Sequence, residues 1–188
     1  ASETMRPLSY LLERYQMPLA VRMADEVVCD SQATTDLVIE EFCIDLDRLT
    51  VVPLGANLSE SITPFESLQK SGIERSYFLF VGTIEPRKNL SSLLAAYANL
   101  PQPVKAAAML VIAGGKGWGR IDLQDTVTRF DLGKYVRLLG YVDNSTLATL
   151  YTNAQFLVMP SLYEGFGLPL VEAMSYGTPV LTANNSSM

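Results

Sequence analysis

Short apolar runs recur along the chain from residue 77 onward, with amphipathic stretches between them. Continuous runs of this kind are typical of strands buried on both faces, as in a parallel sheet. The predicted strands are Tyr77–Val81, Met109–Ala113, Tyr135–Leu139, Phe156–Met159 and Val180–Leu181. The predicted helices between them are Leu90–Leu100, Ile121–Leu132, Ser145–Tyr151 and Pro169–Ser175. This alternation predicts an α/β fold, a doubly wound, mostly parallel sheet with helices on both faces.

The residues before Tyr77 follow a different order and end in a Ser-, Thr- and Pro-containing stretch. The predicted elements are a helix over Tyr10–Met23 that contains Pro18, a strand at Glu26–Cys29, a helix over Ala33–Phe42 capped by Asp30 or Ser31, and a strand at Arg48–Val52. We place a linker near residues 54–66. The prediction is therefore two parts, residues 1–58 and residues 59–188.

Composition and charge narrow the class of protein. The 188 residues are 48% hydrophobic and 18% charged, enough to bury a core, and the net charge of −6 argues against a nucleic-acid partner. No apolar run approaches the length of a membrane span, so we expect a soluble, cytoplasmic chain. Without histidine, imidazole chemistry would have to come from outside the chain. Cys29 and Cys43 have no metal-ligand spacing, and both are expected to be buried thiols.

The most informative segment is the glycine-rich stretch from Ser161 to Val180, which follows a predicted strand and leads into a predicted helix. Such a turn at a helix N-terminus presents free N–H groups to an anion. Glu172, expected in the first helical turn, can accept hydrogen bonds from two hydroxyls such as those of ribose. Glu164 would face the same crevice. Each carboxylate alone fits another interpretation, a solvated loop residue for Glu164 and a helix-dipole partner for Glu172. The combined pattern favours a ligand site.

A second segment, Val81–Leu90, offers cations at the end of the first strand of the sheet. Gly82 allows the backbone to pass close to a ligand, and Arg87 and Lys88 carry the charges that a diphosphate needs. A charge-assisted contact contributes about 1.5–3 kcal/mol. The alternative, a solvated helix start beside Glu85, stays open for Arg87.

Two further glycine clusters, Ala113–Gly119 and Leu139–Val142, also follow predicted strands. The first matches neither the P-loop nor the dinucleotide-binding pattern. Gly140 in the second would let a flat base lie against the main chain. All four segments lie at the carboxyl ends of strands, where open α/β sheets bind ligands.

On these residues, the chain from about Val27 to its end resembles the C-terminal, donor-binding half of glycosyltransferase family 4, the retaining GT-B enzymes. Glu164 and Glu172 reproduce the E-x7-E signature of that family. The segment Val81–Leu90 resembles its bacterial glycan-assembly members, several of which are mannosyltransferases.

The resemblance implies a role for each site residue. Lys88 would contact the donor diphosphate, Glu164 the transferred sugar and Glu172 the ribose, with Lys88 and Glu164 as the catalytic residues. The Leu139–Val142 loop would line the base. The full implied set of donor-binding residues is Gly82, Thr83, Arg87, Lys88, Gly114, Gly140, Tyr141, Glu164, Gly165, Phe166, Gly167, Leu168 and Glu172. Many family members carry arginine where this chain has Thr83, which leaves Arg87 as a substitute to be tested.

The implied reaction moves a hexose with retention from a GDP- or UDP-linked donor to a glycan or lipid-linked acceptor, without a metal or other cofactor. Residues 1–58 would be a remnant of the acceptor-side domain and its crossover linker. The donor domain would be incomplete at its C-terminus, and the isolated chain would be inactive. The full-length protein would be cytoplasmic, with association at the inner face of a membrane.

Two other functions fit the same sequence features. A GT-B sugar-nucleotide epimerase shares the donor crevice but needs its own acid and base. A non-catalytic interaction fragment would self-associate through the Tyr10–Met23 helix. Product analysis separates the first from a transferase, and light scattering at several concentrations tests the second.

Overall fold

The computed structural model describes residues 7–56, 58–59, 61–119 and 121–188, with the side chains of the first helix from residue 14 onward. Residues 57 and 60 of the predicted linker lie outside the described residues. The chain forms two units. One contains the residues up to Gly55 together with Tyr163–Gly167 and Asn184–Met188, and the other contains Ala56–Leu162 and Leu168–Ala183.

The first unit is built from helices α1 and α2 and a two-stranded sheet. Its elements are α1 (Pro7–Met23), β1 (Val27–Cys29), α2 (Gln32–Phe42), a 3₁₀ turn (Leu46–Arg48) and β2 (Leu49–Val51). Strands β1 and β2 pair in parallel. The residue that caps α2 is Ser31, whose hydroxyl accepts a hydrogen bond from the N–H of Thr34 at 3.1 Å. The sequence allows either Asp30 or Ser31 to cap this helix, and the structure identifies Ser31 as the cap.

The prediction of two buried thiols is wrong for Cys43. Cys29 is buried on β1, but Cys43 is exposed because it ends α2 in a left-handed conformation with φ of 51°. A residue that ends a helix in this conformation no longer points with the apolar face of that helix.

The second unit contains a five-stranded parallel sheet. Its strands are β3 (Tyr77–Val81), β4 (Met109–Ala113), β5 (Val136–Gly140), β6 (Phe156–Met159) and β7 (Val180–Thr182). They lie in the order β5-β4-β3-β6-β7, and each neighbouring pair is parallel. The strand order therefore reverses between β3 and β6, the arrangement of a doubly wound fold. The predicted fold class is confirmed.

Among the described residues, six helices connect these strands or precede them. They are α3 (Glu66–Lys70), α4 (Leu90–Ala98), α5 (Gln102–Ala107), α6 (Leu123–Arg129), α7 (Asn144–Asn153) and α8 (Leu168–Ser175). Helix α4 contacts α6, and α7 contacts α8. Helix α6 begins later than predicted because the side chain of Asp122 caps it, accepting from the N–H of Asp125 at 3.0 Å, and it ends earlier, at Arg129. The sequence analysis missed α5, whose prolines suggest a loop although the fixed φ of proline suits a first helical turn.

The main core lies between the sheet and helices α4 and α6. Phe80 and Ile112 of the sheet pack with Leu90, Leu94 and Tyr97 of α4, and all five are buried. The apolar stripe along α4 is thus a core face. Close packing at the middle of the sheet fixes the positions of the strand ends, and the loops at those ends carry the candidate site.

Candidate donor-binding site

Three glycines at the ends of β3, β4 and β5 bring neighbouring backbones into close contact. The N–H of Gly82 donates to the carbonyl of Ala113 at 3.0 Å, and the N–H of Gly114 donates to the carbonyl of Gly140 at 2.7 Å. A Cβ on Gly114 would lie 1.9 Å from the carbonyl oxygen of Gly82. Glycine at position 114 is therefore required by chain packing.

The loop after β3 holds a buried lysine. Residues Pro86–Lys88 form a 3₁₀ turn, in which the N–H of Lys88 donates to the carbonyl of Glu85 at 3.1 Å. The side chain of Lys88 is only 6% exposed. A Cβ built on Gly82 would be 3.5 Å from Cε and 3.7 Å from Nζ of Lys88, so the ammonium group lies beside the glycine backbone. Lys88 is therefore not a solvated helix-start residue.

Arg87, its neighbour in sequence, has a different environment. Its guanidinium donates to one carboxylate oxygen of Glu85 from Nη2 at 2.6 Å and from Nε at 3.0 Å. This ion pair neutralises the positive charge locally. Thr83, where many relatives are expected to carry arginine, is exposed, and its methyl group lies against Gly117. The structure thus pairs Arg87 with Glu85 and gives Lys88 the buried position.

The loops after β3 and β6 are joined where the strand order reverses. The N–H of Leu162 donates to the carbonyl of Arg87 at 2.8 Å, and the side-chain amide of Asn89 donates to the carbonyl of Pro160 at 3.2 Å. Ser161, between Pro160 and Leu162, is completely buried. The sequence analysis assigned no role to Ser161, although a polar residue two positions after an apolar strand marks it. In open α/β sheets, ligands bind in the crevice at this reversal.

A cavity of about 470 Å³ lies beside the ends of β4 and β5. Gly114, Lys116, Leu138 and Gly140 contribute to its lining. Gly140 has φ of +69° and open space where a Cβ would project. Tyr141, the next residue, is 83% exposed. This strand end is open, in contrast to the crowded end of β4.

Glu172 lies on the fifth residue of α8, so the prediction that it occupies the first turn is wrong. The helix begins at Leu168, one residue before Pro169, and this moves Glu172 into the second turn. The helix-dipole interpretation of this residue therefore loses its basis, because that effect falls off within the first turn. One carboxylate oxygen of Glu172 accepts a hydrogen bond from the hydroxyl of Tyr151 on α7 at 2.8 Å.

Tyr151 is buried, and burial together with the Glu172 carboxylate raises its pKa above the ordinary value of 10. The phenol therefore stays protonated at neutral pH and remains a hydrogen-bond donor. A cavity of about 30 Å³ is lined by both residues. Sequence reasoning missed Tyr151 because an aromatic residue at a helical core position gives no sign that its hydroxyl meets a carboxylate.

The stretch Tyr163–Gly167 belongs to the first unit. Glu164 is 5% exposed, which contradicts its interpretation as a solvated loop carboxylate. Gly165 and Phe166 are partly buried, Gly167 is buried with φ of 88°, and Leu168 opens α8 in the second unit. The structure therefore groups Gly82, Thr83, Arg87, Lys88, Gly114, Gly140, Tyr141, Leu168 and Glu172 in one unit and Glu164, Gly165, Phe166 and Gly167 in the other.

Within the part of the chain that the structure describes, no set of three or more His, Cys, Asp or Glu side chains could hold a metal ion. The helices in that same part are also too short or too polar for any of them to cross a membrane.

The parallel sheet and the reversal of strand order define a Rossmann-like, doubly wound domain. Residues 65–188 match the family model described as glycosyl transferases group 1. The chain belongs to this family.

The similar proteins of known name include two mannosyltransferases. The chain is 44% identical over 157 residues to O-antigen chain mannosyltransferase B of Escherichia coli, a match covering 80% of the chain and 41% of that protein. It is 28% identical to O-antigen chain mannosyltransferase RfbU of Salmonella typhimurium, with 91% of the chain and 45% of that protein covered. The chain thus spans less than half the length of these relatives.

A solved structure with the same fold is that of the Anabaena protein HepE in complex with UDP-glucose. The TM-score is 0.80 at 24% sequence identity, and the match covers 95% of this chain and 50% of that one. The glycosyltransferase WaaG, involved in lipopolysaccharide biosynthesis, matches with a TM-score of 0.75 at 22% identity and covers 96% of this chain and 52% of WaaG. The predicted GT-B architecture is confirmed.

Proposed function

We propose that this chain binds a nucleotide diphosphate sugar and that the full-length protein transfers a hexose from it, with retention, to a glycan or lipid-linked acceptor. The observation that carries the proposal is the buried ammonium group of Lys88 beside Gly82, where the strand order reverses. The named mannosyltransferases among the relatives support mannose as the transferred hexose.

Lys88 would stabilise the negative charge that develops on the departing diphosphate. A buried cation acts in a low dielectric medium, where its attraction for an anion exceeds that of a solvated lysine. It also needs no reorganisation when the charge appears. Charge stabilisation of this kind requires no metal ion, so we propose metal-independent transfer. Arg87, held by Glu85, would have at most a secondary role.

The base and ribose would bind along the strand ends next to the diphosphate, with the ribose between the base and the diphosphate. The cavity beside Gly140 is lined by Leu138 and has an open glycine face, which suits a flat base. Glu172 would accept the ribose hydroxyls with the carboxylate oxygen that Tyr151 does not hold. Glu164 would contact the transferred sugar, and residues 1–58 would belong to the acceptor-side domain. A lipid-linked acceptor would place the full-length protein at the inner face of a membrane.

Calorimetric titration of the chain with GDP, UDP and ADP tests the proposal. We expect one nucleoside diphosphate to bind, and Lys88→Met, which keeps the aliphatic stem, to weaken it. The matched control is Lys134→Met, since Lys134 is an exposed lysine that precedes β5 at the opposite edge of the sheet. Absence of binding by all three nucleotides would contradict the proposal. Product analysis of the full-length protein with the donor would then separate transfer, which elongates an acceptor, from epimerisation, which does not.

A further inference from the structure

The backbone around Glu164 is bound by three serine hydroxyls from distant parts of the sequence. The N–H of Glu164 donates to Oγ of Ser186 at 3.0 Å, and its carbonyl accepts from Oγ of Ser187 at 2.9 Å. The carbonyl of Gly165, the next residue, accepts from Oγ of Ser31 at 2.6 Å. All of these residues belong to the same unit. Three backbone polar groups of two consecutive residues are therefore each held by a hydroxyl.

The proton of Ser31 is directed to Gly165. A serine hydroxyl has one proton, and its two acceptors are the carbonyl of Gly165 at 2.6 Å and Oγ1 of Thr34 at 3.0 Å. The shorter contact takes the proton, and Ser31 meanwhile accepts from the N–H of Thr34 as the cap of α2. Thr34 adds a longer contact to the same carbonyl at 3.3 Å. Ser31 thus joins the start of α2 directly to the loop that carries Glu164.

The side chain of Asp30 lies next to the backbone of Gly165. A Cβ at position 165 would lie 3.0 Å from Oδ2 of Asp30, so the carboxylate occupies the space beside this backbone. The loop is accordingly held on one side by the turn before α2 and on the other by Ser186 and Ser187. The side chain of Glu164 is itself buried, with 5% exposure.

We propose that Ser31, Ser186 and Ser187 form a serine clamp that positions the Glu164 carboxylate for the transferred sugar. This inference rests on the proposed function, in which Glu164 contacts that sugar. The clamp fixes the backbone on both sides of the Glu164 Cα and thereby limits the directions in which its side chain can point. The three serines are positioning residues, because they act through Glu164.

The test measures how much the sugar adds to donor binding. Affinities of the chain for GDP and GDP-mannose, and for UDP and UDP-glucose, are determined by calorimetry, and the ratio within each pair is the sugar contribution. We expect Ser31→Ala to reduce this ratio about 2- to 12-fold, the loss typical of one hydrogen bond, and to leave binding of the bare nucleoside diphosphate unchanged. Ser187→Ala should act in the same direction.

Two further variants separate positioning from helix capping. Ser31→Asp keeps an oxygen that accepts from the N–H of Thr34, but an ionised carboxylate cannot donate to the carbonyl of Gly165. It should lower the sugar contribution as Ser31→Ala does. Ser31→Thr keeps both functions and should restore it. Ser67→Ala is the matched control, because the partly buried Ser67 also donates to a carbonyl, that of Pro64 at 2.7 Å.

The decisive comparison uses Glu164→Gln. If the clamp acts through Glu164, Ser31→Ala should have no further effect on the sugar contribution in that background. An undiminished further loss would overturn the inference while leaving nucleotide binding intact. So would an unmodified chain that binds the sugar nucleotide no better than the nucleoside diphosphate. Failure of all four nucleotides to bind would instead overturn the proposed function.

Hydrogen exchange gives a ligand-independent check: Ser186→Ala should speed exchange of the Glu164 amide, and unchanged exchange would remove Ser186 from the clamp.

Discussion

The ends of β4 and β5 carry the same residue type for different reasons. At the end of β4, Gly114 meets the backbone of Gly82 so closely that a Cβ would lie 1.9 Å from a carbonyl oxygen. At the end of β5, Gly140 faces open space beside a cavity of about 470 Å³. The first glycine is explained by packing within the sheet. The second, apart from its backbone conformation, leaves space for a ligand.

The comparison shows that glycine-rich strand ends do not identify a binding site by themselves. The loops after β3 and β4 continue to pair beyond the sheet, since the N–H of Ile84 donates to the carbonyl of Gly115 at 2.9 Å and the N–H of Gly117 donates to the carbonyl of Ile84 at 3.1 Å. These bonds join the loop that carries Lys88 to the loop after β4. The closely packed ends of β3 and β4 thus position the ammonium group of Lys88, and the open end of β5 at Gly140 leaves space for a ligand.

The largest effect is expected for Gly114→Ala. The methyl group would collide with the Gly82 carbonyl, and φ at this position is +153°. Overpacking and backbone strain together should lower the free energy of unfolding by about 4 kcal/mol, or roughly 8–16 °C in Tm. Gly115→Ala, at the next residue, is the control, because a Cβ on Gly115 meets no atom within 4 Å. It should change stability by less than about 0.5 kcal/mol. Equal effects of the two variants in thermal denaturation would contradict the packing explanation.

The next largest effect is expected for Lys88, whose ammonium group lies beside the closely packed ends of β3 and β4. Lys88→Ala should weaken binding of a nucleoside diphosphate by about 1.5–3 kcal/mol, roughly 10- to 150-fold, and affect the bare nucleoside much less. Arg87→Ala should have a smaller effect, because Arg87 is paired with Glu85. Titration with the diphosphate and the nucleoside in parallel measures both. If Lys88→Ala weakens them equally, Lys88 does not contact the diphosphate.

Substitutions of Gly140 test whether the open space at the end of β5 binds the base. Its φ of +69° is left-handed, so Gly140→Ala should cost about 1–2 kcal/mol of stability. Asparagine tolerates this conformation better, and Gly140→Asn should cost less. Both side chains would project into the space beside the cavity, so both should weaken nucleoside binding. Calorimetry and thermal denaturation on the same samples separate the two properties. Undiminished nucleoside affinity in Gly140→Asn would exclude the base from this space.

The sheet could be predicted from the sequence because parallel strands buried on both faces must be continuously apolar. Tyr77–Val81, Met109–Ala113 and Phe156–Met159 have the predicted boundaries. Strand β5 begins and ends one residue later than predicted, because Gly140 pairs with Ala113 after a shift in register. The position of Lys88 near the end of β3 also followed from the order of the motifs.

The environments of the site residues could not be predicted, because they depend on contacts between distant segments. The turn that carries Lys88 is bonded to the loop after β6, since the N–H of Leu162 donates to the carbonyl of Arg87. The partner of Glu172 lies 21 residues earlier, on α7. The contact between Ser31 and Gly165 spans 134 residues. No periodicity or local spacing encodes such pairs.

The smallest effect is expected at the bond between Tyr151 on α7 and Glu172 on α8. The Tyr151 hydroxyl holds one carboxylate oxygen of Glu172 at 2.8 Å, which leaves the other oxygen for ribose. Tyr151→Phe removes this restraint and should weaken ribonucleotides by about 0.5–1.5 kcal/mol, roughly 2- to 12-fold. The 2′,3′-dideoxy analogue lacks the hydroxyls that Glu172 would accept and should bind Tyr151→Phe and the unmodified chain equally.

Glu172→Gln should also weaken ribonucleotides and leave the affinity for the 2′,3′-dideoxy analogue unchanged. The loss of ribonucleotide affinity should be larger than for Tyr151→Phe, because the carboxylate itself is removed. If Tyr151 acts only through Glu172, the double variant should lose no more than Glu172→Gln alone. Because burial keeps the pKa of Tyr151 above its ordinary value of 10, the phenol remains a donor across pH 6–9. The effect of Tyr151→Phe should therefore be constant over that range. A loss that extends to the dideoxy analogue would show that Tyr151 supports the fold of α7 and α8 and does not orient Glu172 toward ribose.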